Sequence, residues 1–244
     1  MSSYDSKASW YDALYAGAGK DYHDEATALL GVVAELGITP STLLDVACGT
    51  GLHLQAFAET VAEVEGLDLS PGMLELAKTR LPEVPLRHGD MRSFDLGRTF
   101  DVVTCLFSAI GHVRDASDLD AAIQHMAAHV EPGGVLLLEP WLTPDGVIEG
   151  GHRGLVHATT DDGVVSRASR SVLRGEVLLV EFAWAVSTPD GVASATESFR
   201  MPLFTRERYI EAFERAGLVP VWRELAELRA QRGLLVGRKP GLAA

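Results

Sequence analysis

Apolar residues in the first half of the chain follow two alternating spacings. Short continuous apolar runs, typical of strands covered on both faces, are separated by segments with the spacing of an amphipathic helix. In chain order these segments are a helix from about Asp21 to Leu36, the strand TLLDVA, a helix from Leu52 to Thr60, the strand AEVEGLD, the helix SPGMLELAKTR, the strands VPLRHG and FDVVTCLF, a helix from about Ser117 to Val130, and the strand GGVLLLEP. Strands separated by helices predict a parallel sheet with right-handed crossovers.

The second half of the chain begins with a different pattern. From about Gly154 to Leu203, β-rich runs are separated by the turn sequences DDG, RGE and TPDG, which predicts an antiparallel meander. We expect this insertion, at about residues 145–203, to form a small sheet over the ligand face. The segments that follow are the helix LFTRERYIEAFERAGL, with Thr205 as N-cap and Gly217 as its end, and two closing strands near Val219–Arg223 and Gly233–Val236. Together these patterns predict a single α/β domain over residues 1–244.

Composition narrows the functions that such a fold can serve. With 244 residues, 47% of them hydrophobic and 23% charged, the chain can bury a large core. A formal net charge of -13 argues against a nucleic-acid partner, because that binding needs clustered Lys and Arg. The two cysteines form no CxxC pair, the segment MSSYDSKASWYDALY has no basic region followed by an apolar run, and no apolar run approaches the ~20 residues that span a bilayer. We therefore expect a reduced, cytoplasmic protein without a membrane partner.

The stretch LLDVACGTG indicates a nucleoside-binding turn between the first strand and its helix. Gly49 and Gly51 allow the backbone to turn sharply and to approach a ligand, and Asp68 ends the second strand, where a carboxylate can accept both ribose hydroxyls. A dinucleotide motif requires a third glycine, but Leu54 occupies that position. Asp45, just ahead of the turn, can hydrogen-bond the loop amides or face a cationic amino-acid group, and it would repel a pyrophosphate. These features favour S-adenosylmethionine (SAM).

The third strand ends in Gly89, Asp90 and Met91. In a SAM site the Asp90 carboxylate would accept a hydrogen bond from the adenine amine, while Met91 would pack on the ring face. Each feature also has a purely structural interpretation, in which the glycines only make a turn, Asp68 caps the following helix and Asp90 is a surface residue. The coincidence of three such features at successive strand ends favours the cofactor site.

Several motifs spread over nearly the whole chain carry a family resemblance. They are GKDYHDEA, LLDVACGTG, HGDMRSFDLGR, VTCLFSAIGH, EPW, SRASRS, LFTRERYIEAFERAGL and RGLLVG. The sequence resembles the class I SAM-dependent methyltransferases and, within them, the nucleotide-sugar N,N-dimethyltransferases that finish sugars such as desosamine and mycaminose. The resemblance implies a Rossmann-like seven-stranded sheet with helices on both faces and an N-terminal lid at about residues 1–20. It also implies N,N-dimethylation of the amino group of a dTDP-linked amino deoxysugar in antibiotic biosynthesis.

The resemblance also implies residue roles. His112 in SAIGH, just past the fourth strand, and Tyr4 from the lid would face the acceptor amine and orient its lone pair; otherwise His112 caps a helix or faces solvent. Lys20 would reach the methionyl carboxylate or be solvated. The remaining histidines, His53 among them, have no comparable placement and are expected to have ordinary structural or surface roles, and their spacing indicates no metal. The expected cofactor-binding residues are Tyr11, Tyr15, Lys20, Asp45, Ala47, Cys48, Gly49, Gly51, Asp68, Leu69, Met73, Asp90, Met91 and Leu106.

Acceptor binding is expected to use two arginines and the residues after the fifth strand. Arg167 and Arg232 match the family's positions for binding the diphosphate, although surface arginines on a β-meander are the simpler alternative. Glu139 would attract an ammonium group and Trp141 would cover an apolar sugar face. Leu142 departs from the family, which carries a second aromatic residue there, so the identity of the sugar stays open.

Other functions fit parts of the same pattern. A methyltransferase that acts on another small amine or on a hydroxyl would keep the cofactor site and change the acceptor. A nicotinamide-dependent reductase is disfavoured by the absent third glycine. A cofactor-binding protein without activity is the third alternative. For the protein itself, a homodimer is a possible state.

Overall fold

The computed structural model describes residues 8–161, 163–228 and 233–241. The helices in this part of the chain are α1 (Ala8–Gly17), α2 (Tyr22–Glu35), α3 (Leu52–Ala58), α4 (Pro71–Arg80), α5 (Ala116–Ala128) and α6 (Arg206–Arg215). The strands are β1 (Thr42–Val46), β2 (Glu63–Asp68), β3 (Leu86–His88), β4 (Phe100–Cys105), β5 (Val130–Leu138), β6 (Arg153–Thr160), β7 (Gly163–Arg174), β8 (Val177–Thr188), β9 (Gly191–Pro202), β10 (Val219–Arg223) and β11 (Leu234–Arg238). None of these helices has the length and apolar character that crossing a bilayer requires.

Seven strands form one sheet in the order β10-β11-β5-β4-β1-β2-β3, which confirms the predicted Rossmann-like α/β fold. Strands β1 to β5 pair in parallel. This parallel part is the one that the strand–helix alternation predicted, and the closing strand β11 adds an antiparallel part, because it is antiparallel to both β5 and β10. Residues 224–233 connect β10 to β11, and a connection this short cannot make the crossover that a parallel pair needs.

Alternating side chains of the central strand supply the two faces of the core. Leu44 and Val46 point into the cluster beneath α5 and α6, while Leu43, the residue before Leu44, points into the cluster beneath α2 and α3. All three side chains are fully buried. Because both faces of β1 are covered, the strand needs a continuous apolar run, and the only acid within it, Asp45, lies near its carboxyl end.

Side-chain caps define the helix ends that position the ligand face. The Ser70 hydroxyl accepts a hydrogen bond from Met73 N (3.3 Å) ahead of Pro71, and the Thr205 hydroxyl accepts one from Arg208 N (3.1 Å). Both N-caps are confirmed predictions. The Asp115 carboxylate caps α5 and starts it at Ala116, one residue before the predicted position.

The insertion is a separate four-stranded antiparallel sheet, β6-β7-β8-β9, as the turn sequences predicted. Helix α1, the described part of the predicted lid, packs on it through Leu14 and Trp10 against Trp184. On its other side, Asp12 accepts hydrogen bonds from Thr50 Oγ1 (2.6 Å) and Arg80 Nη2 (2.8 Å). Helix α1 therefore connects the inserted sheet to the glycine loop after β1; closure of the lid stays a prediction.

Candidate active site

The loop that follows β1 has a left-handed backbone. The φ angles of Ala47, Gly49 and Gly51 are 61°, 57° and 80°, and Ala47 adopts this conformation without being a glycine. Strain of this kind is typical of functional loops. A Cβ on Gly51 would lie 3.3 Å from Ala77 Cβ, and Gly51 does not line the ligand cavity. Its small size serves the packing of α3 against α4, and its approach to a ligand stays a prediction.

A cavity of about 430 Å³ opens at the carboxyl ends of β1, β2 and β4. This is where open α/β sheets bind their ligands. Its volume falls within the range of small-molecule sites. The predicted cofactor-binding residues that line it are Tyr11, Asp45, Ala47, Cys48, Gly49, Asp68, Leu69, Met73, Asp90, Met91 and Leu106.

Asp68 connects the first two loops of this cavity. Its carboxylate accepts hydrogen bonds from Gly49 N (2.8 Å) and Ser70 N (2.7 Å). Burial raises the pKa of Asp68 above its usual value. A carboxylate held in this way is fixed relative to both loops and can still accept from a ligand hydroxyl with its remaining lone pairs.

Asp45 is buried in the wall of the same cavity. The Thr104 hydroxyl donates a hydrogen bond to it (2.7 Å), and desolvation, with a further contribution from the charge of Asp68, raises the pKa of Asp45 to about 7. A carboxylate that titrates near neutral pH is stabilised in its anionic form by a cation bound next to it. The predicted contact with a cationic amino-acid group is consistent with this position.

Asp90 lies at the cavity with its carboxylate already engaged. Arg92 donates to it through Nε (2.9 Å) and Nη2 (2.5 Å), and reaches Asp118 through Nη1 (2.8 Å). The hydrogen bonds from Arg92 lower the pKa of Asp90. Asp90 is therefore an anion paired with Arg92, and an adenine amine would share this carboxylate with the guanidinium.

Lys20 does not line the cavity. Its ammonium is buried and contacts both Glu25 oxygens (2.6 and 2.5 Å). This ion pair does not support the predicted direct contact of Lys20 with a cofactor carboxylate. Glu25 also binds His53 Nε2 (2.8 Å), and His53 and Tyr22 do line the cavity. The contact with Glu25 agrees with the structural role expected for His53, which also lies beside the cavity because it is on the first turn of α3, directly after the glycine loop.

A second cavity, of about 440 Å³, lies between the inserted sheet, α1 and the segment after β5. The predicted site residues that line it are Tyr11, Tyr15, His112, Trp141 and Arg167. Tyr15 was expected at the cofactor and lies in this cavity instead. Gly111 lets Trp141 pack closely here, because a Cβ at Gly111 would be 2.8 Å from Trp141 Cγ.

Arg167 carries a buried positive charge into the second cavity. Its guanidinium lies 4.2 Å from the Phe182 ring centroid and 5.3 Å from those of Tyr15 and Trp184, and Nη1 donates to the Tyr15 hydroxyl (2.9 Å). Within the described ranges, Nε has no hydrogen-bond partner and Arg167 forms no ion pair. Aromatic faces attract the cation but do not neutralise it, so the site is suited to an anionic ligand.

The two cavities meet at four aromatic side chains. Tyr11, Phe107, His112 and Phe199 line both of them, and no other residue of the described chain does. The His112 ring packs edge-on against Phe199, with 5.2 Å between centroids. Burial lowers the pKa of His112 to about 4, so its imidazole is neutral at pH 7 although it faces the cavities. Sequence patterns missed Phe107 and Phe199.

Glu139 does not line either cavity. Its Oε2 accepts a hydrogen bond from Phe107 N (2.6 Å), and its Oε1 lies 3.3 Å from the Ser108 hydroxyl. The predicted attraction of Glu139 for a ligand ammonium is therefore corrected, because the carboxylate is turned towards the loop after β4. Tyr4 and Arg232, which were also predicted site residues, lie outside the described residues.

Fold and site together define a class I SAM-dependent methyltransferase. Buried carboxylates on two strand ends, a left-handed glycine loop and the apolar walls supplied by Leu69 and Met91 fit the ribose, amino-acid and adenine parts of SAM. Residues 43–134 match the methyltransferase domain family.

Known relatives narrow this class further. A dTDP-3-amino-3,6-dideoxy-alpha-D-glucopyranose N,N-dimethyltransferase from Streptomyces fradiae is 46% identical over 214 residues, 86% of this chain and 83% of the relative. A dTDP-4-amino-2,3,4,6-tetradeoxy-D-glucose N,N-dimethyltransferase from Saccharopolyspora spinosa is 41% identical, over 93% and 90% of the two chains. The structure of a SAM-bound amino pentose methyltransferase from Micromonospora echinaspora, involved in calicheamicin biosynthesis, superimposes with a TM-score of 0.84 at 42% identity, over 94% and 96%. The chain belongs to the family of amino-sugar N-methyltransferases.

Proposed function

We propose that this methyltransferase dimethylates the amino group of a dTDP-linked amino deoxysugar in antibiotic biosynthesis. The observation that carries the proposal is the pair of cavities that meet at four aromatic rings, one with the chemistry of a SAM site and the other with the buried cation of Arg167. An acceptor that joins a diphosphate to an amine matches the second cavity from Arg167 to the junction. The names of the two relatives from Streptomyces fradiae and Saccharopolyspora spinosa identify dTDP-linked amino sugars as their substrates.

On the cofactor side, SAM supplies when bound an electrophilic methyl carbon on a sulfonium centre. Asp68 would hold the ribose hydroxyls and Asp45 the amino-acid end, while Leu69 and Met91 would enclose the adenine. The role of Asp68 as a hydrogen-bond acceptor agrees with its fixed position between Gly49 N and Ser70 N. These contacts would hold the cofactor in the cavity that meets the acceptor cavity at the aromatic junction.

On the acceptor side, Arg167 would bind the diphosphate through its guanidinium edge, as planar donors suit phosphate oxygens. Tyr15 would orient Arg167, because its hydroxyl accepts from Nη1. Trp141, which lines the same cavity, would cover the sugar. Arg232 would contribute a second phosphate contact, and this role rests on the family resemblance.

At the junction the chain's main task is to align the amine and to exclude water. The amine must arrive unprotonated, since its lone pair forms the new N–C bond. Neutral His112 would accept a hydrogen bond from an amine N–H and direct the lone pair, with Tyr4 assigned to the same side by resemblance. A His112 pKa near 4 makes it a weak base, so the proton released by the methylated nitrogen goes to solvent.

The aromatic walls also suit two successive rounds. A methylated amine is larger and less polar, and rings such as Phe107 and Phe199 offer it apolar contact. When protonated, the product is attracted to ring faces by about 0.5–2 kcal/mol. The monomethyl product can therefore bind the same junction for a second transfer.

Mass spectrometry of the reaction products tests the proposal. Protein and SAM are incubated with dTDP-linked 3-amino and 4-amino deoxysugars, with the same sugars lacking the nucleotide, and with sugars that carry a hydroxyl in place of the amine. We expect the addition of two methyl groups to the nucleotide-linked amino sugars alone. Methylation of free amines at equal efficiency, or of the hydroxyl compounds, would reassign the acceptor. Homodimerisation and a cytoplasmic location stay predictions from the sequence.

A further inference from the structure

The loop after β4 holds two consecutive non-glycine residues in the left-handed region. The φ angles are 51° at Phe107 and 58° at Ser108. Side chains with a Cβ rarely adopt this conformation, and a structure retains it only where surrounding contacts enforce it. The strained pair leads directly into the 3₁₀ helix Ala109–His112, which ends at the aromatic junction.

Glu139 supplies the contacts that enforce this turn. It follows β5, and Glu139 N donates to Cys105 O (2.9 Å), so its backbone is fixed beside the end of β4. Its carboxylate then accepts from Phe107 N (2.6 Å), while the Ser108 hydroxyl lies 3.3 Å from Oε1 and donates to Pro140 O (2.8 Å). A hydrogen bond to an ionised acceptor is stronger than one between neutral groups. The Glu139 side chain is almost completely buried, so water does not compete for these contacts.

The turn sets the position of the Phe107 ring. That ring packs edge-on against Tyr15 (4.8 Å) and Tyr11 (6.2 Å between centroids), and the Lys20 ammonium lies 4.2 Å from its centre. A right-handed or extended backbone at Phe107 would direct its Cβ elsewhere and remove the ring from the junction. The ring lines both cavities, so its displacement would alter the path between methyl donor and acceptor.

We propose that Glu139 is a positioning residue for methyl transfer: its buried carboxylate holds the left-handed Phe107–Ser108 turn and thereby keeps the Phe107 ring between the two cavities. The proposal rests on the proposed function for its kinetic test. It assigns Glu139 no contact with the substrate, in contrast to the attraction for an ammonium group that its sequence position suggested.

Two substitutions of Glu139 distinguish its positioning role from direct attraction of a substrate ammonium group. Glu139→Met keeps a side chain of similar length and removes the acceptor; we expect kcat to fall about 10- to 100-fold, the loss typical of small misplacements, with the SAM dissociation constant unchanged. Glu139→Gln removes the charge but keeps a carbonyl oxygen for Phe107 N–H, and we expect kcat within about threefold of the parent. Glu65→Met, which removes another buried carboxylate that lines neither cavity, is the matched control and should retain the parent kcat.

Relief of the backbone strain at Ser108 provides an independent test of the proposal. Glycine accepts positive φ without a Cβ penalty, so Ser108→Gly introduced into Glu139→Met should restore part of the lost kcat. Amide hydrogen exchange over residues 104–112 reads the turn without turnover: exchange should accelerate in Glu139→Met and stay near the parent rate in Glu139→Gln.

Three results would overturn the proposal. One is a folded Glu139→Met protein whose kcat and exchange rates match the parent. Another is a Glu139→Gln protein whose kcat is as low as that of Glu139→Met and whose KM for the amino sugar is raised, which would restore a charge-based role. The third is the absence of any recovery from Ser108→Gly. If the parent enzyme methylates no amino sugar, the proposed function fails, and the hydrogen-exchange comparison still decides the role of Glu139.

Discussion

Replacing Arg167 with methionine removes the guanidinium from the acceptor cavity and leaves an unbranched apolar side chain there. In the protein without ligand the change has opposing effects. Three aromatic contacts of about 0.5–2 kcal/mol each and one hydrogen bond of about 1 kcal/mol are lost. Against this, the desolvation cost of the buried cation, several kcal/mol, disappears. Because these contributions are of similar size, we expect the free energy of unfolding to change by less than about 2 kcal/mol.

For the binding of a diphosphate ligand, by contrast, Arg167→Met should have only an unfavourable effect. Hydrogen bonds from a charged donor contribute about 1.5–3 kcal/mol, so their loss should weaken dTDP binding about 10- to 150-fold. At a dTDP concentration of about 100 times the parent dissociation constant, binding stabilises the parent by about 2.7 kcal/mol. The same concentration should stabilise Arg167→Met by only about 0.3–1.4 kcal/mol.

Denaturant unfolding with and without dTDP measures both quantities in one experiment. Arg174→Met is the matched control, since Arg174 lies exposed on the same strand, β7, and lines neither cavity. We expect this control to keep the full stabilisation by dTDP. If Arg167→Met is stabilised by dTDP as much as the parent is, Arg167 does not bind the diphosphate and the assignment of the acceptor cavity is wrong.

Three further predictions concern the cofactor cavity and the junction. Asp68→Asn should weaken SAM binding in calorimetry by about 1.5–3 kcal/mol, the contribution of hydrogen bonds to a charged group; an unchanged affinity contradicts the ribose contact. The pKa of Asp45, about 7, lies above its unfolded value, so the native state binds the extra proton and the unfolding free energy should fall as pH rises from about 4 to 7. In denaturant titrations across that window Asp45→Asn should flatten the fall, and an identical slope would show that Asp45 does not titrate there. The pKa of His112, about 4, predicts that His112→Asn lowers kcat without moving the pH profile of kcat/KM above pH 5.5, and a shifted inflection would make His112 a base.

Local patterns were sufficient to predict the cofactor half of the site. A strand that is covered on both faces must be apolar, so an acid at its end, such as Asp68, stands out in the sequence. The left-handed loop requires glycine at Gly49, and the cap at Ser70 fixes where the next helix starts. These residues lie at the ends of neighbouring strands, and the order of the strands brings them together without further information.

The acceptor half depends on contacts between distant segments, which spacing does not report. Phe199 reaches the junction only because β9 of the inserted sheet packs over the 3₁₀ helix that carries His112. The sequence position of Glu139 was also a poor guide to its role. Glu139 follows β5 as predicted, but its carboxylate turns to the neighbouring loop, and only the structure shows that orientation. Gly51 has a packing role that spacing also does not report, because a Cβ there would lie 3.3 Å from Ala77 Cβ.

Helix α1 contacts both the acceptor half and the cofactor half of the site. Its Tyr15 hydroxyl binds Arg167 in the acceptor cavity, whereas its Asp12 carboxylate binds Thr50 in the cofactor loop. Tyr11, between them, lines both cavities. An anion bound to Arg167 would therefore lie beside the same helix that hydrogen-bonds the glycine loop. Any effect of such an acceptor on SAM affinity would have to be matched by an equal effect of SAM on acceptor affinity, because coupling between two ligands is reciprocal. Contact through α1 is the main route for such coupling, since Phe199 is the only residue of the inserted sheet that reaches the cofactor cavity within the described chain.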